Sequence, residues 1–290
     1  EDPRGLALAA LVLDVTRVRG RLKALQGPKG NWMARRATAL GARGKSASVE
    51  ATALAVRALS DMRGLEWLAA QRDGSGRFGT TQSTVQALKT LLAADPGEPA
   101  SGRVIARARG RTLATAEIGE EPVRIDLGLL ESGELTVELA GEGSLRATLS
   151  LASFASWDEP TPTGGRTALD VSWPDETLRP GEESVAVAVI RNPSRYLARV
   201  VTAEIGLPPG CDVDRRAVRG DKSQAIEKGP RAIVIYFDDL GPGEMRRFEI
   251  PFTPRHKLNV KTAPSRVYEY YVPEETALVA PVRVTAAAPK

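Results

Sequence analysis

The sequence predicts a multidomain α + β protein in which helices come first and β-strands follow. Residues 1–95 are rich in helix-forming residues and carry apolar side chains at helical spacing. From Arg103 onward apolar and polar residues alternate, which is the period of half-buried strands. The chain has 290 residues, enough for two or three domains that each bury a core of their own.

The first helices are predicted from apolar runs and capping residues. Leu6–Val18 is apolar nearly all round at its start, as expected of a helix buried on most sides. A polar, glycine-containing connection follows, and Ser48 is the expected N-cap of the next helix, with Glu50 in its first turn. Arg57 is expected to point towards solvent. The buried face of this helix is expected to comprise Val49, Ala53, Val56 and Ser60, with Leu59 beside it.

Two shorter helices complete the helical part. Leu65–Arg72 is the first, and Thr80 or Thr81 is expected to cap the second, which ends at Asp95-Pro96-Gly97. The buried stripe of the second helix is predicted to be Val85, Leu88, Leu91 and Leu92.

The connection between these two helices contains a possible nucleotide-binding pattern. Gly74, Gly76 and Gly79 satisfy G-x-G-x-x-G. A dinucleotide site requires a strand before this loop, whereas the preceding Leu65–Arg72 is made mostly of helix formers. We therefore interpret the glycines as a tight turn between two helices.

The β-rich part falls into two blocks separated by a proline-containing stretch. Strands of the first block are predicted at Val123–Leu127, Leu135–Leu139 and Leu145–Leu151. Ser156–Gly165 has the turn and proline content of a linker. Strands of the second block are predicted around Leu169–Trp173, Val185–Val189, Val200–Leu207, Ile233–Phe237, Phe248–Phe252 and Val267–Val272. About seven strands at this spacing are typical of a β-sandwich, with a non-strand excursion, such as a short helix, between Cys211 and Lys228.

Charge and composition narrow the possible functions. The net charge is only +4, and arginines are interleaved with acidic residues, so the basic stripe of a nucleic-acid-binding protein is not evident. The densest basic cluster, Arg215, Arg216, Arg219 and Lys222, contains aspartates among its members and is expected to be solvated. A hydrophobic fraction of 42% is that of an ordinary globular protein.

The single cysteine and the single histidine exclude several kinds of site. One cysteine cannot form an internal disulfide, and one of each cannot form a Cys/His zinc cluster. A dyad of Cys211 and His256 is formally possible, but the spacing supplies no third group to orient it. The alternative is a partly buried thiol and a surface imidazole.

The sequence contains no apolar run near the roughly 20 residues that span a bilayer. The chain starts at Glu1 rather than at Met, so we expect a cleavage point or another boundary there. A missing signal peptide therefore says nothing about secretion.

Three blocks of the helical part resemble a known family. They are Val49–Ala55 (VEATALA), Trp67–Arg72 (WLAAQR) and Gly79–Thr84 (GTTQST). In this order and spacing they resemble the end of the thioester domain of α2-macroglobulins and complement thioester proteins. The alanine- and arginine-rich composition suggests a bacterial member.

Two segments of the second β block extend this resemblance towards the end of the chain. Ile233–Leu240 (IVIYFDDL) and Val267–Tyr271 (VYEYY) are similar to the C-terminal macroglobulin domain, called the receptor-binding domain in vertebrate members. The β segment before it would be the second half of the CUB domain, which the thioester domain interrupts in this family.

The resemblance implies a fold and domain limits. Residues 1–95 would be the C-terminal part of an α/α toroid, 96–157 a CUB-like β segment, 158–165 a linker, and 166–290 a receptor-binding-type β-sandwich. The matched residues would pack and cap rather than bind a ligand, and no catalytic, cofactor-binding or metal-binding residue is predicted. These residues are Val49, Glu50, Thr52, Trp67, Gln71, Gly79, Thr81, Gln82, Tyr268, Tyr270 and Tyr271.

The departures from the family pattern predict a fragment. The Cys-Gly-Glu-Gln segment that forms the internal thioester is absent, and Cys211 lies in the wrong domain. His256 does not correspond to the catalytic histidine of some members, and no bait region precedes the helices. About four helices cannot close a toroid, so we expect upstream helices, from the same polypeptide or a companion chain, to cover their apolar face.

The function implied by the resemblance is non-enzymatic. The chain would be a structural part of an extracellular or periplasmic protein that traps proteases or tags foreign surfaces, with rearrangement carried through Ser156–Gly165. One alternative is a stand-alone adhesion or scaffolding module that uses the β domains only. Another is an α/α-toroid enzyme, which would need Asp-rich motifs or zinc ligands that the helical part does not offer.

Overall fold

The computed structural model describes residues 1–290 except 14, 75, 95–100, 120, 122, 131–132, 144–146, 154–155, 158–164, 175, 222 and 288–290. It divides into two compact units. One comprises Glu1–Thr90 together with Ser153–Lys290, and the other comprises Leu91–Ala152.

Five helices form the first part of the described chain. They are α1 (Pro3–Val12), α2 (Thr16–Ala24), α3 (Gly44–Leu59), α4 (Met62–Ala69) and α5 (Thr81–Ala93). Thr80 caps α5 through its hydroxyl, as predicted. Asp2 caps α1 and Asp61 caps α4 through their carboxylates, which was not predicted. Gly76 and Gly79 have positive φ in the turn between α4 and α5, which confirms the tight turn.

The first predicted helix is wrong in extent. Leu6–Val18 spans two helices, because α1 ends at Val12 and α2 begins at Thr16. The β-branched Val15 has an extended backbone at φ −100° and ψ 114° and forms the entry to α2.

The predicted N-cap Ser48 is also wrong, since α3 begins four residues earlier, at Gly44. The Ser48 hydroxyl donates to the Gly44 carbonyl at 2.8 Å inside the helix, and Glu50 is buried rather than exposed in a first turn. Val49, Ala53 and Val56 are buried and Arg57 is exposed, as the spacing predicts, whereas Ser60 ends the helix with a left-handed backbone.

The buried stripe predicted for α5 is wrong. Val85, Leu88 and Leu92 are exposed, and the buried side chains are Ser83, Ala87 and Thr90. The small side chains of the helix pack inward, and its large apolar side chains lie on a surface that the described residues leave exposed. The predicted stop at residues 95–97 lies outside the described residues.

The unit Leu91–Ala152 contains one antiparallel sheet in the order β2–β1–β3, formed by β1 (Ser101–Ala108), β2 (Arg111–Ile118) and β3 (Leu135–Glu142). β3 was predicted. The strand predicted at Val123–Leu127 is not formed, and neither is one at 147–151, where Leu149 and Leu151 are exposed. These segments lack a neighbouring strand to pair with within the described residues. Leu145 lies outside those residues.

The terminal residues form two packed antiparallel sheets. One has the order β14–β13–β6–β10–β9, and the other β4–β5–β11–β7, with β8 also paired to β11. A further pair joins β12 and β15. Their bounds are β4 (Ala168–Ser172), β5 (Ser184–Arg191), β6 (Val201–Gly206), β7 (Cys211–Asp212), β8 (Arg219–Gly220), β9 (Ala225–Lys228), β10 (Ala232–Phe237), β11 (Met245–Pro254), β12 (Leu258–Lys261), β13 (Ser265–Glu269), β14 (Val272–Val279) and β15 (Arg283–Ala286).

The β-sandwich character predicted for this region is confirmed, with more and shorter strands than expected. The core lies between the two sheets, where Ile190, Phe248 and Phe252 meet Ile205 and Ile235. In β5 the buried face is Ala186, Ala188 and Ile190, so the alternating valines face the other way. The predicted excursion after Cys211 contains a 3-10 turn at Arg215–Ala217 between very short strands.

The strand predicted at Val267–Val272 is wrong in extent. The segment is a hairpin in which β13 ends at Glu269, Tyr270 and Tyr271 form the turn, and β14 begins at Val272. This hairpin carries three tyrosines and three glutamates towards one end of the sheet, which positions them beside the helices.

Candidate functional site: the cleft between the helices and the terminal sheet

The first matched block, Val49–Ala55, lies in α3 and contacts the segments packed around that helix. Val49, Glu50 and Thr52 are buried. Thr52 Oγ1 accepts from the backbone N–H of Trp32 at 3.0 Å, and Glu50 Oε1 accepts from Arg4 Nε at 2.7 Å. The second carboxylate oxygen of Glu50 is buried without a hydrogen-bond partner. The Thr52 hydroxyl and one carboxylate oxygen of Glu50 are therefore hydrogen-bonded inside the helical part.

The second and third blocks shape the turn that enters α5. Gln71 Nε2 donates to the Trp67 carbonyl at 3.1 Å. Gly79 has φ +94°, and a Cβ there would collide with the hydroxyl of Ser46 on α3. Thr81 opens α5, and its side chain and that of Gln82 are exposed. Because the element before the glycines is helix α4, the dinucleotide interpretation has no structural basis.

The tyrosines of the hairpin lie against charged neighbours. Tyr268 Oη donates to Glu204 Oε1 at 3.0 Å, and the same oxygen accepts from Arg266 at 2.7 Å. Burial, and then the Glu204 charge, raise the pKa of Tyr268 to about 12. The rings of Tyr270 and Tyr271 meet edge to face, with centroids 5.2 Å apart.

The structure brings the later matched residues together around one open cleft of about 760 Å³. Gln71, Gly79, Thr81 and Gln82 line it from the helices, and Tyr268, Tyr270 and Tyr271 line it from the hairpin. Val49, Glu50, Thr52 and Trp67 do not line it. Lys45, Arg77 and Arg266 also line it, together with the acidic Asp73 and Glu274, so the lining is aromatic and carries charges of both signs.

A charged cluster beside the cleft was not predicted. Arg43 Nη2, at the N-terminus of α3, donates to Glu269 Oε2 and, at 2.7 Å, to Glu275 Oε2. Glu274 accepts from the backbone N–H of Ser46 at 3.1 Å and from its hydroxyl at 3.2 Å. The sequence shows three glutamates around a tight turn, but nothing in it indicates that an arginine more than 200 positions away would bind two of them.

The surroundings of Arg43 favour its charged form. Its burial alone would lower the pKa, but the hydrogen bonds and charges of Glu269 and Glu275 outweigh that effect and raise it above the ordinary value. The side chain of Glu269 is only 3% exposed, so this is a largely desolvated ion pair.

The cysteine lies in a setting unlike that of a nucleophile. Burial, and then the neighbouring Asp212 charge, raise the pKa of Cys211 to about 11, so its thiol stays protonated at neutral pH. Among the residues that the structure describes, three or more His, Cys, Asp or Glu side chains are nowhere grouped so that they could hold a metal ion. Within the same ranges, every helix is too short or too polar to cross a membrane.

Comparison with protein families matches residues 198–280 to the A-macroglobulin receptor binding domain. This range contains the strands β6 to β14 and the tyrosine-bearing turn. No curated protein sequence matches the chain significantly.

Solved structures of bacterial α2-macroglobulins share the fold of almost the whole chain. A fragment of the Escherichia coli protein, from domain MG7 to the C-terminus, matches 99% of this chain over 49% of its own length, at 12% identity and a TM-score of 0.57. The whole E. coli protein in its native conformation and the Salmonella protein reacted with methylamine match 99% of this chain at 13% identity and a TM-score of 0.57. The chain spans 20% of the length of each of these two proteins. The resemblance read from the sequence is confirmed: the chain is similar to the C-terminal part of an α2-macroglobulin.

Proposed function

We propose that this chain is the C-terminal part of an α2-macroglobulin-like protein that acts in protease inhibition and trapping or in tagging of foreign surfaces. Two observations support the proposal together. Residues 198–280 match the receptor binding domain, and the helices that precede them share the fold of the bacterial proteins. The role of the chain itself is structural, not enzymatic, and its setting is extracellular or periplasmic.

The helices are proposed to be a part of an α/α toroid, residues 1–95. Large apolar side chains of α1 and the segment after it are uncovered, with Val12 80% exposed and Leu13 57% exposed. Leu88 and Leu92 of α5 are uncovered as well. Uncovered apolar faces of this kind support partner helices, supplied by the upstream part of the polypeptide or by a companion chain.

Residues 96–157 are proposed to be the second half of a CUB domain. Within the residues that the structure describes, the sheet β2–β1–β3 has three strands, and the strand segments predicted at Val123–Leu127 and 147–151 are not paired with it. A half-domain would leave its apolar alternation without partner strands, and the exposure of Val123, Leu149 and Leu151 supports this proposal. The linker 158–165 and the sandwich 166–290 complete the proposed domains. Residues 158–164 lie outside the described residues.

The matched residues are proposed to act in packing and capping. The buried positions of Val49 and Thr52 support that role, as do the contacts of Gln71 with α4 and of Gly79 with α3. Proposed partners are therefore the rest of the parent protein and the target protease or surface, and no cofactor is proposed.

The first test has two steps. The coding DNA upstream of Glu1 is sequenced, and the full-length protein that it encodes is then assayed. We expect a Cys-Gly-Glu-Gln segment within about a domain length of Glu1. Incubated with trypsin, the full-length protein should suppress hydrolysis of a large protein substrate while a small peptide substrate is still cleaved. Methylamine should release one thiol. The present chain alone is the control, which should inhibit nothing.

The opposite result would overturn the proposal. A full-length protein that leaves both trypsin activities unchanged would not be a trap. If residues 166–290 alone then reproduced all surface binding of the full-length protein, the adhesion-module alternative would replace it.

The toroid part has a separate test. Leu92→Glu should leave the stability of this chain nearly unchanged, because the side chain is 84% exposed, yet weaken its association with the upstream helices at least tenfold. Leu113→Glu, at another exposed leucine on β2, is the matched control. Equal effects of the two substitutions would contradict the toroid proposal.

A further inference from the structure

The loop between β5 and β6, residues 192–200, is held in shape by a buried asparagine. Asn192 is 0% exposed, and its side-chain amide donates to the carbonyls of Tyr196 and Leu240, at 2.7 Å each. Its side-chain oxygen accepts from the N–H of Ser194 at 3.0 Å and from the hydroxyl of the same serine at 2.7 Å. The side chain of Asn192 therefore uses its whole hydrogen-bonding capacity to fix this loop.

Backbone hydrogen bonds join this loop to the one between β10 and β11. Asn192 donates its backbone N–H to the Glu244 carbonyl at 3.0 Å, and its carbonyl accepts from the Gly243 N–H at 2.8 Å. Ala198 and Leu240 exchange two backbone hydrogen bonds, at 3.0 and 2.8 Å. Because the loop is bonded near both of its ends, the side chains that it exposes are presented in fixed positions.

The tip of the loop exposes two apolar side chains between arginines. Tyr196 is 50% exposed and Leu197 is 38% exposed. Arg195 precedes this pair and Arg199 follows it, and both arginines are exposed. A single exposed apolar residue needs no explanation, but a tyrosine and a leucine side by side on a fixed loop make a small apolar surface with a basic rim.

Two arginines lie against the ring of the exposed tyrosine. The guanidinium carbons of Arg166 and Arg195 are each 5.0 Å from the centroid of the Tyr196 ring, within the range of a cation–π interaction. Arg166 also donates to the Leu197 carbonyl at 2.6 Å, which ties the tip to the residues that enter β4. The ring therefore meets any partner together with two positive charges.

The charges of this tip are not neutralised inside the described part of the chain. Within those residues, Arg166, Arg195 and Arg199 have no carboxylate at salt-bridge distance. Acidic side chains at the same end of the sandwich are engaged by other groups. They are Asp170, paired with Arg191; Glu244, paired with Arg246; Asp238, which accepts from Gln224; and Asp239, which accepts from the Val200 N–H.

We propose that Arg166, Arg195, Tyr196, Leu197 and Arg199, here called the basic tip, bind the surface of an anionic lipid bilayer. Lipid phosphates are acceptors for the guanidinium groups, and the headgroup layer receives the tyrosine and leucine side chains. A protein partner would instead take Tyr196 into a pocket, as aromatic hot spots require, whereas here two arginines already lie against the ring. This contact is a property of the chain itself and does not depend on protease inhibition.

Flotation of the full chain with lipid vesicles tests the contact. The vesicles contain phosphatidylglycerol mixed with phosphatidylcholine, and vesicles of phosphatidylcholine alone serve for comparison. We expect binding to the anionic vesicles to be about tenfold tighter or more, because each arginine is attracted to the negative surface. Binding should weaken as the salt concentration rises, because salt screens this attraction.

The arginines are tested by a double variant with a matched control. Arg195→Gln/Arg199→Gln should weaken binding to the anionic vesicles about fivefold for each arginine removed. The control Arg215→Gln/Arg216→Gln removes the same net charge from exposed positions in the 3-10 turn after β7, which pairs with the opposite end of β11. It should leave binding nearly unchanged. Circular dichroism would verify that both variants fold.

The apolar part of the tip has its own matched pair. Leu197→Ser should weaken binding about threefold or more, because a serine gains little from the headgroup layer. Leu113→Ser, at a leucine of β2 that is 40% exposed, removes an equally exposed leucine elsewhere and should have little effect.

Three outcomes would overturn the proposal. Equal binding of the two arginine double variants would mean that the net charge of the chain, and not the basic tip, attracts the vesicles. Equal binding of Leu197→Ser and Leu113→Ser would mean that the tip does not enter the headgroup layer. Absence of binding to the anionic vesicles by the unchanged chain would exclude the bilayer as the partner and favour an acidic protein surface.

Discussion

Glu274 and Ser46 join the terminal sandwich to the start of α3: the glutamate carboxylate accepts from the serine backbone N–H at 3.1 Å and from its hydroxyl at 3.2 Å. An N-cap is usually supplied by the residue that precedes the helix. Here it comes from a residue 228 positions later, so the start of this helix depends on tertiary structure.

This cap is expected to contribute to stability. Glu274→Ala should lower the free energy of unfolding by about 1 kcal/mol, the usual effect of losing a cap. Urea denaturation followed by circular dichroism would measure it. Glu274→Gln, which retains a carbonyl acceptor, should lose about half as much, and equal stability of the alanine variant and the wild type would contradict the capping role.

Trp32 is expected to be a major anchor of the helical part. It is fully buried, its indole N–H donates to the Leu22 carbonyl at 2.6 Å, and its backbone N–H donates to Thr52. Trp32→Phe removes the indole donor, so that the Leu22 carbonyl keeps only the Leu25 N–H, at 3.1 Å, and should lower the free energy of unfolding by about 1–3 kcal/mol.

The matched control is Trp157→Phe, at a tryptophan that is 44% exposed. Thermal unfolding of both variants would compare them. A shift in Tm for Trp157→Phe as large as that for Trp32→Phe would show that the burial of Trp32 is not what matters.

Shortening a side chain to alanine should change the stability of the protein by different amounts on the two faces of β5. Ile190 has 0% exposure and packs in the sandwich core, whereas Val185 is 39% exposed. Ile190→Ala should lower the free energy of unfolding by about 2–5 kcal/mol because it leaves a cavity. Val185→Ala should change it by about 0.5 kcal/mol or less. Chemical denaturation that gives the reverse order would mean that the strand register is wrong.

The thiol of Cys211 is expected to react slowly in the folded chain. Its pKa of about 11, against an ordinary 9.0, leaves about a hundredfold smaller thiolate fraction at pH 8. Alkylation by iodoacetamide should be slower by at least that factor than in the urea-unfolded chain. Asp212→Asn should raise the rate only slightly, because burial is the larger cause. Equal rates in the folded and unfolded chain would reopen the question of a reactive cysteine.

Local patterns in the sequence predicted most of the terminal sandwich. The alternation at Phe248–Phe252 and Ile233–Phe237 corresponds to buried positions of β11 and β10, because a strand in a two-sheet core must place every second residue inside. The cap at Thr80 and the glycine turn before it were predictable for the same reason, since they depend only on neighbouring residues.

Patterns failed where the partner of a segment lies elsewhere. The stripe Val85, Leu88 and Leu92 is amphipathic, but a helix buries such a stripe only when another element covers it. The alternation at Val123–Leu127 likewise forms a strand only beside another strand. Tyr270 and Tyr271 form a turn inside an apolar run, because the hairpin partner of β13 is the segment that follows directly.

The sequence by itself therefore determined the order of helices and strands, the sandwich and the family resemblance, because these depend on periodicity and local motifs. Only the tertiary structure decided that Arg43 binds Glu269 and Glu275 and that Glu274 caps α3. Charged residues carry no local signal of their partners. Which charges are desolvated together depends on the packing of segments more than 200 positions apart, and that packing is settled by the whole fold.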